Sequence, residues 1–279
     1  GFDWSDPYRW TRVVEVLGNG RRHSMADMMR LQTDELSIPA RQLVPLLRYL
    51  PADDPRTEDA RRRLLAWDFV MDAGSVAAGI HAAWEGHLRD RVAERLVPPE
   101  GRDLLRPGLA RTISTLLSPP GSWGTDPLAE RDRLLLDALD DAVDELAGTL
   151  GGGMEDWRWG QESYHHVYLR HPLGSVVDED TRGRLEVGPL PRGGYGSTVN
   201  MTGNGHNQTS GASFRIIVDT GDWDAAVGMN TPGQAGDPAS PFYDNLFRRW
   251  AQDEFHPVYF SRGKVEEATA VRYDLIPDG

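Results

Sequence analysis

Apolar and polar positions follow a helical period through the first 150 residues and lose it afterwards. In "DPYRWTRVVEVLGNG", Val13, Val14 and Leu17 fall at helical spacing before Gly18, Asn19 and Gly20 end the run. Ser24 opens "SMADMMRLQTD" with Asp27 three residues on, the spacing at which two side chains cap each other's backbone. "ARQLVPLLRYL" predicts a helix ending before Pro51, and "TEDARRRLLAWDFVMDAG" predicts one that stops at Gly74. Ser75 then caps a helix in "SVAAGIHAAWEGHLRDRVAERL". The strongest stripe lies in "LAERDRLLLDALDDAVDELAGTLGGG". There Leu135, Leu139, Ala142, Val143, Leu146 and Leu150 recur at spacings of three and four.

After Gly153 the texture changes. "YHHVYLR", "STVNM", "ASFRIIVD" and "HPVYF" predict short strands, separated by the turn clusters "PRGG", "TGNGHNQTSG" and "NTPGQAGDP". "SPFYDNLFRRWAQDE" predicts one late helix. There is no internal repeat and no alternation of strand and helix, so the class is α+β: residues 1–153 helical, residues 154–279 mainly antiparallel strand with one late helix.

Composition narrows the function. At 279 residues and 31.1 kDa, the chain can bury one large core or two modest ones. Its formal charge of −13 repels phosphate backbones and anionic membranes, which argues against nucleic acid and against a membrane surface as partners. With no cysteine, disulfides and thiolate metal sites are excluded. Apolar runs such as "LLAWDFVM" are far shorter than the ~20 residues that span a bilayer. The chain opens at Gly1 rather than Met, which reads as a processed piece whose targeting segment is already gone.

Three of the eight histidines crowd into "YHHVYLRHPLG". In a strand, His165 and His171 share a face but stand about 20 Å apart at ~3.3 Å per residue. Zinc–nitrogen bonds span only about 2.0–2.1 Å, so one metal ion cannot reach both. His166 points to the opposite face. His81 and His87 lie about 240° apart around their helix. Neither a His-Glu-x-x-His motif nor a calcium loop is present, and "GGYGSTVN" and "GNGHN" read as turns rather than phosphate loops. No metal centre and no self-contained catalytic triad emerges from the residues alone.

Five stretches, in order, resemble the penicillin acylase family of N-terminal-nucleophile hydrolases. "DWSDPYRWTRVVEVL" with "SMADMMRLQTDELSIPARQLVPLL" is similar to its middle β-subunit segment. "WRWGQESYHHVYLRHPLG" resembles its Trp-Gly-x-x-His and His-Pro-Leu strand, with His165 and His171 at the matching places. "PRGGYGSTVN", "GASFRIIVDTGDWDAA" and "TPGQAGDPASPFYDNLFRRWAQDEFHPVYF" resemble the closing strands and last helix.

The resemblance implies an amide hydrolase for penicillin, cephalosporin or acyl-homoserine-lactone substrates, with an αββα core to which this chain contributes strands as part of one larger domain. It implies autoproteolytic maturation and a periplasmic or secreted bacterial location. Gly1 has no hydroxyl and cannot be the family's serine nucleophile. That serine, the oxyanion asparagine and the acidic calcium ligands lie upstream of the matching segment. The resemblance therefore implies that this chain is the C-terminal part of a β-subunit, carries no cofactor itself, and has the α-subunit and the N-terminal part of the β-subunit as partners.

Within the chain, the resemblance carries over one position. Trp4 and Arg9 match a Trp-x-x-x-x-Arg stretch near the active-site asparagine, and the Arg9 guanidinium suits either that asparagine's amide or a substrate carboxylate. The plain alternative is a surface arginine at a helix start. His165 is a candidate for lining the substrate pocket, against the alternative of a neutral histidine bonded to a backbone carbonyl. Ala235 and Phe242 stand where the family often has a serine and a histidine, and "GGYGSTVN" offers Ser197 but no carboxylate to support a histidine relay. Those replacements leave open a non-catalytic binding or structural relative.

Overall fold

The computed structural model describes residues 5–102, 104–203 and 205–277. Gly1, Trp4 and Asn204 of the "GNGHN" turn, all invoked above, lie outside the described residues. Helices come first: α1 (Tyr8–Leu17), α2 (Met25–Gln32), α3 (Ile38–Leu43), α4 (Pro55–Leu65), α5 (Val76–Leu96), α6 (Leu109–Leu117) and α7 (Pro127–Leu150). Then follow β1 (His166–Leu169), α8 (Glu179–Leu185), β2 (Val187–Pro191), β3 (Arg215–Ile217), β4 (Val227–Met229), α9 (Phe247–Ala251), β5 (His256–Pro257) and α10 (Arg262–Ala268). No helix among the described residues is long and apolar enough to cross a membrane. Packing divides the chain into two compact units, Gly1–Arg21 with Thr33–Gly211, and Arg22–Gln32 with Ala212–Gly279.

The core of the larger unit lies between α5 and α7. Each starts at a side-chain cap: Ser75 Oγ accepts from the Ala78 amide at 3.2 Å, and Asp126 from the Ala129 amide at 3.1 Å. Gly151, at φ 93°, ends α7 in a conformation that favours glycine. The predicted stripe is buried, with Leu135, Leu139, Ala142, Val143 and Leu146 facing inward, and Leu150 packs partly buried against it. Each buried leucine contributes about 1.5–3 kcal/mol relative to exposure. From α5, Trp84 is fully buried and its indole N–H donates to Leu135 O at 3.0 Å, so the largest apolar side chain leaves no polar atom stranded. Gly79 lets the chain after α7 approach α5, since a Cβ there would meet Trp157 O at 2.2 Å.

In the same unit β1 and β2 pair antiparallel, with Val167 opposite Leu190. The smaller unit holds an antiparallel sheet in the order β3-β4-β5, with Ile217 opposite Val227 and Gly228 opposite His256. Its buried Arg215 is paired with Asp253 at 2.7 Å and lies over the Trp250 ring at 5.8 Å. There α2 begins with the predicted reciprocal cap: the Ser24 amide donates to Asp27 Oδ2 at 2.9 Å, and the Asp27 amide to Ser24 Oγ at 3.2 Å.

Several expected elements come out differently. The helix expected through "ARQLVPLLRYL" leaves the α conformation at Leu43 and tightens into a 3₁₀ turn over Val44–Leu47, because Pro45 has no amide hydrogen for the next α bond. The helix expected to run to Gly74 ends at Leu65. Beyond it the backbone pairs with an earlier segment, Ser37 N to Phe69 O at 2.8 Å and Met71 N to Glu35 O at 2.9 Å. "STVNM" is a turn, not a strand. Thr198 Oγ1 donates to Tyr195 O while the Tyr195 amide donates back to it at 2.9 Å, satisfying locally the groups that a ladder would need. The late helix shrinks to Phe247–Ala251, since residues 237–244 make successive turns and Asp253 has positive φ. On α1, Val14 and Leu17 are exposed along with Trp10, so the predicted helix forms but its apolar stripe is only partly covered.

Candidate functional site

A cleft of about 300 Å³ opens in the larger unit between the start of α1, the middle of α5 and the turn after Gly194. Tyr8 anchors α1 by burying its ring, and Asp6 Oδ1 just before it accepts from the Ala110 amide at 3.0 Å, which ties the segment to the start of α6. Arg9, next to the anchored ring, is exposed and lines the cleft together with Arg89 and Glu85 of α5, Leu109, Tyr195 and Ser197.

The floor of the cleft is polar and dry. Glu85 is 1% exposed, and its Oε1 accepts from the Tyr195 hydroxyl at 3.0 Å. Its Oε2 has no hydrogen-bond partner, and His81 Nε2 stands 3.6 Å from it. Ser197, 9% exposed, likewise has a hydroxyl without a partner. Burial first, then the Glu85 charge, push the Tyr195 hydroxyl well above its ordinary pKa, so it remains a donor. Burial and the charges of Asp6 and Glu85 push the Tyr8 hydroxyl up as well.

The "GGYGS" turn that presents Tyr195 is held from three sides. The Gly194 amide donates to Met71 O at 2.8 Å, and Gly194 O accepts from Trp159 Nε1 at 2.9 Å. A Cβ on Gly194, at φ 86°, would meet Asn200 O at 2.4 Å. The sequence suggested no carboxylate near this turn. The structure corrects that, because Glu85 arrives from α5 at Tyr195 and Asn200 Nδ2 donates to Glu35 Oε1 at 3.1 Å. A signal existed in the sequence: Glu85 sits between Trp84 and Leu88 on the inward face of its helix, where a carboxylate is costly without a partner.

The histidines separate as strand geometry suggests. His165 is 0% exposed, its Nδ1 pairs with Gly205 O at 2.9 Å, and its ring stacks on Trp159 with centroids 3.6 Å apart. Burial, the largest cause, lowers its pKa to about 3, so the ring is neutral at ordinary pH. It is not among the residues lining the Arg9 cleft. His171 caps the turn at Pro172–Ser175 by accepting from the Leu173 amide at 3.1 Å. His87 pairs with Glu145 at 2.8 Å on a second cleft of about 200 Å³, which Gly86, Tyr195 and His206 also line. Among the described residues no group of three or more His, Cys, Asp or Glu is placed to hold a metal ion.

Comparison with known proteins accords with this geometry. The sequence model of the penicillin amidase family matches residues 1–267. Penicillin acylase 2 proenzyme of Pseudomonas sp. (strain SE83) is 28% identical over 99% of this chain and 36% of its own length. Acyl-homoserine lactone acylase QuiP of Pseudomonas aeruginosa is 26% identical over 90% of this chain and 34% of its own. The chain thus spans about a third of the length of these relatives. In fold it is similar to a thermostable penicillin G acylase from Alcaligenes faecalis, with a TM-score of 0.61 at 17% identity over 99% of this chain and 54% of that one. With its mixed helices and small antiparallel sheets, the chain belongs to the penicillin amidase family.

Proposed function

We propose that the protein hydrolyses amide bonds of small acylated molecules of the penicillin, cephalosporin or acyl-homoserine-lactone kind. The nucleophile in this reading is a serine at the N-terminus of a large subunit, outside these residues. Family membership and the activities in the relatives' names support it, and so does the match to only a third of their length. The strands of this chain then form part of an αββα sandwich, completed by the α-subunit and the N-terminal part of the β-subunit after autoproteolysis in the periplasm or outside the cell. Calcium, where bound, is held by residues outside the chain.

An N-terminal serine suits this chemistry. Its own α-amino group, with a pKa near 7.7–8.0, accepts the hydroxyl proton as the oxygen attacks the amide carbonyl. The acyl group passes to the serine oxygen, the amine leaves with a proton, and water then releases the acid. The observation that ties this chain to the reaction is Arg9, which has no hydrogen-bond or ion-pair partner among the described residues and faces a cleft floored by buried polar groups. Its guanidinium is positioned to hold the active-site asparagine amide or a substrate carboxylate. His165, neutral and stacked on Trp159, holds the sheet in place rather than lining the pocket.

The test is to incubate the full-length mature protein with a chromogenic acyl anilide. Steady release of the aniline is expected, and no release from a protein with an exposed N-terminal serine overturns the reading. A second reading, a binding or structural relative, draws on Ala235 and Phe242, which replace a hydroxyl and an imidazole. The two meet in one loop, where the Ala235 amide donates to Phe242 O at 3.1 Å and the Phe242 ring is exposed. The same assay separates the readings.

A further inference from the structure

The cleft beside Arg9 carries an unbalanced set of polar groups, and their chemistry specifies what fills it. Exposed arginines without partners are ordinary in water, but Arg89 is half-buried. Its helix neighbours Arg91 and Arg95 reach Asp141 at 2.5 Å and Glu130 at 3.2 Å, whereas Arg89 reaches no carboxylate among the described residues. Arg9 is equally without one. Two guanidiniums and the unpartnered Ser197 hydroxyl thus present donors to one cavity. Against them stands a single buried acceptor, Glu85 Oε2, which has no hydrogen bond although Oε1 is satisfied by Tyr195. A buried carboxylate oxygen left in this state costs free energy until a donor arrives.

A group that answers both needs carries an anion and a nearby N–H. We propose that the cleft receives the amine half of the amide and selects amine halves that bear a free carboxylate. Arg89, with Arg9, takes the carboxylate, and Glu85 Oε2 takes the adjacent N–H. This inference rests on the amide-hydrolase reading and names its substrate class. When the C–N bond breaks, water supplies a hydroxyl to the acyl carbon and a proton to the nitrogen. The leaving half then becomes a zwitterion, with its ammonium facing Glu85 and its carboxylate facing the guanidiniums. A lactone or ester in the same place has no charge to offer, which leaves both arginines to water.

The experiment compares a matched pair, an N-acyl homoserine and its lactone with the same acyl chain, on the full-length mature protein. The ratio of kcat/KM for acid over lactone is expected to be about tenfold or more, the range set by a charge-assisted contact. Arg89→Gln should bring the ratio to about one, and Arg89→Lys should retain part of it. A ratio unchanged by Arg89→Gln, or a preference for the lactone, overturns the proposal. If neither compound is cleaved the hydrolase reading falls, and calorimetry decides the cleft separately. Homoserine should then bind the wild type about tenfold more tightly than homoserine lactone and lose that advantage in Arg89→Gln. Equal binding of the two amines overturns the site.

Discussion

The Tyr195 hydroxyl donates to Glu85 Oε1 over 3.0 Å and joins residues 110 positions apart, one on a helix and one on a glycine-framed turn. Both are buried. The contact lets a carboxylate occupy the inward face of α5 and fixes the turn that walls the cleft.

Tyr195→Phe should therefore destabilise the protein by about 1–3 kcal/mol, because it leaves a buried carboxylate oxygen without its donor. Urea unfolding measures the loss. The double variant with Glu85→Leu should cost less than the two single changes added together, since removing both partners leaves nothing unsatisfied. Strict additivity would show that the pair is not coupled.

Acid should weaken the fold through His165. Its folded pKa is lowered from 6.5 to about 3 by burial, so below pH 6.5 the unfolded chain binds a proton that the folded chain refuses. Stability from this residue is complete above pH 6.5 and is lost progressively as pH falls toward 3. In His165→Phe this component of the slope should vanish. Denaturation midpoints at pH 7 and pH 4.5 check it, and an equal acid loss in both proteins contradicts the assignment.

Gly194→Ala should destabilise by about 1–3 kcal/mol, since a side chain at φ 86° is strained and its Cβ would meet Asn200 O at 2.4 Å. The thermal midpoint is the measurement. A neutral result would mean that the turn relaxes without strain.

In the core, Leu139→Ala should cost about 2–5 kcal/mol, because the residue is fully buried between α5 and α7. Ser75→Ala should cost about 1 kcal/mol through the lost cap on α5. Chemical denaturation separates the two magnitudes.

Much of this architecture is local in origin and so legible in sequence. The α7 stripe, the serine cap of α5, the Ser24 and Asp27 cap and the "GGYGS" turn each depend on residues within a few positions of one another. What escaped depends on distant partners. The stretch after Leu65 has helical residues, but its backbone finds Glu35 and Ser37 instead. "STVNM" has strand-like residues, yet the Thr198 hydroxyl and Asp34 O take its amides. The candidate site divides the same way. Arg9 was visible because it follows an aromatic helix start, whereas the placing of Glu85 required knowing that α5 passes behind a turn more than a hundred residues later.

Gly86 extends this reasoning to tuning. It lies inside α5, where glycine costs about 1 kcal/mol relative to alanine, and a Cβ added there would meet no atom within 4 Å. Nothing in the packing demands a bare backbone at that position, so the vacancy serves the groove wall it shares with His87 and Tyr195. Position 86 is thus a dial on which larger residues narrow the passage while strengthening the helix, opposing throughput to robustness within a single side chain.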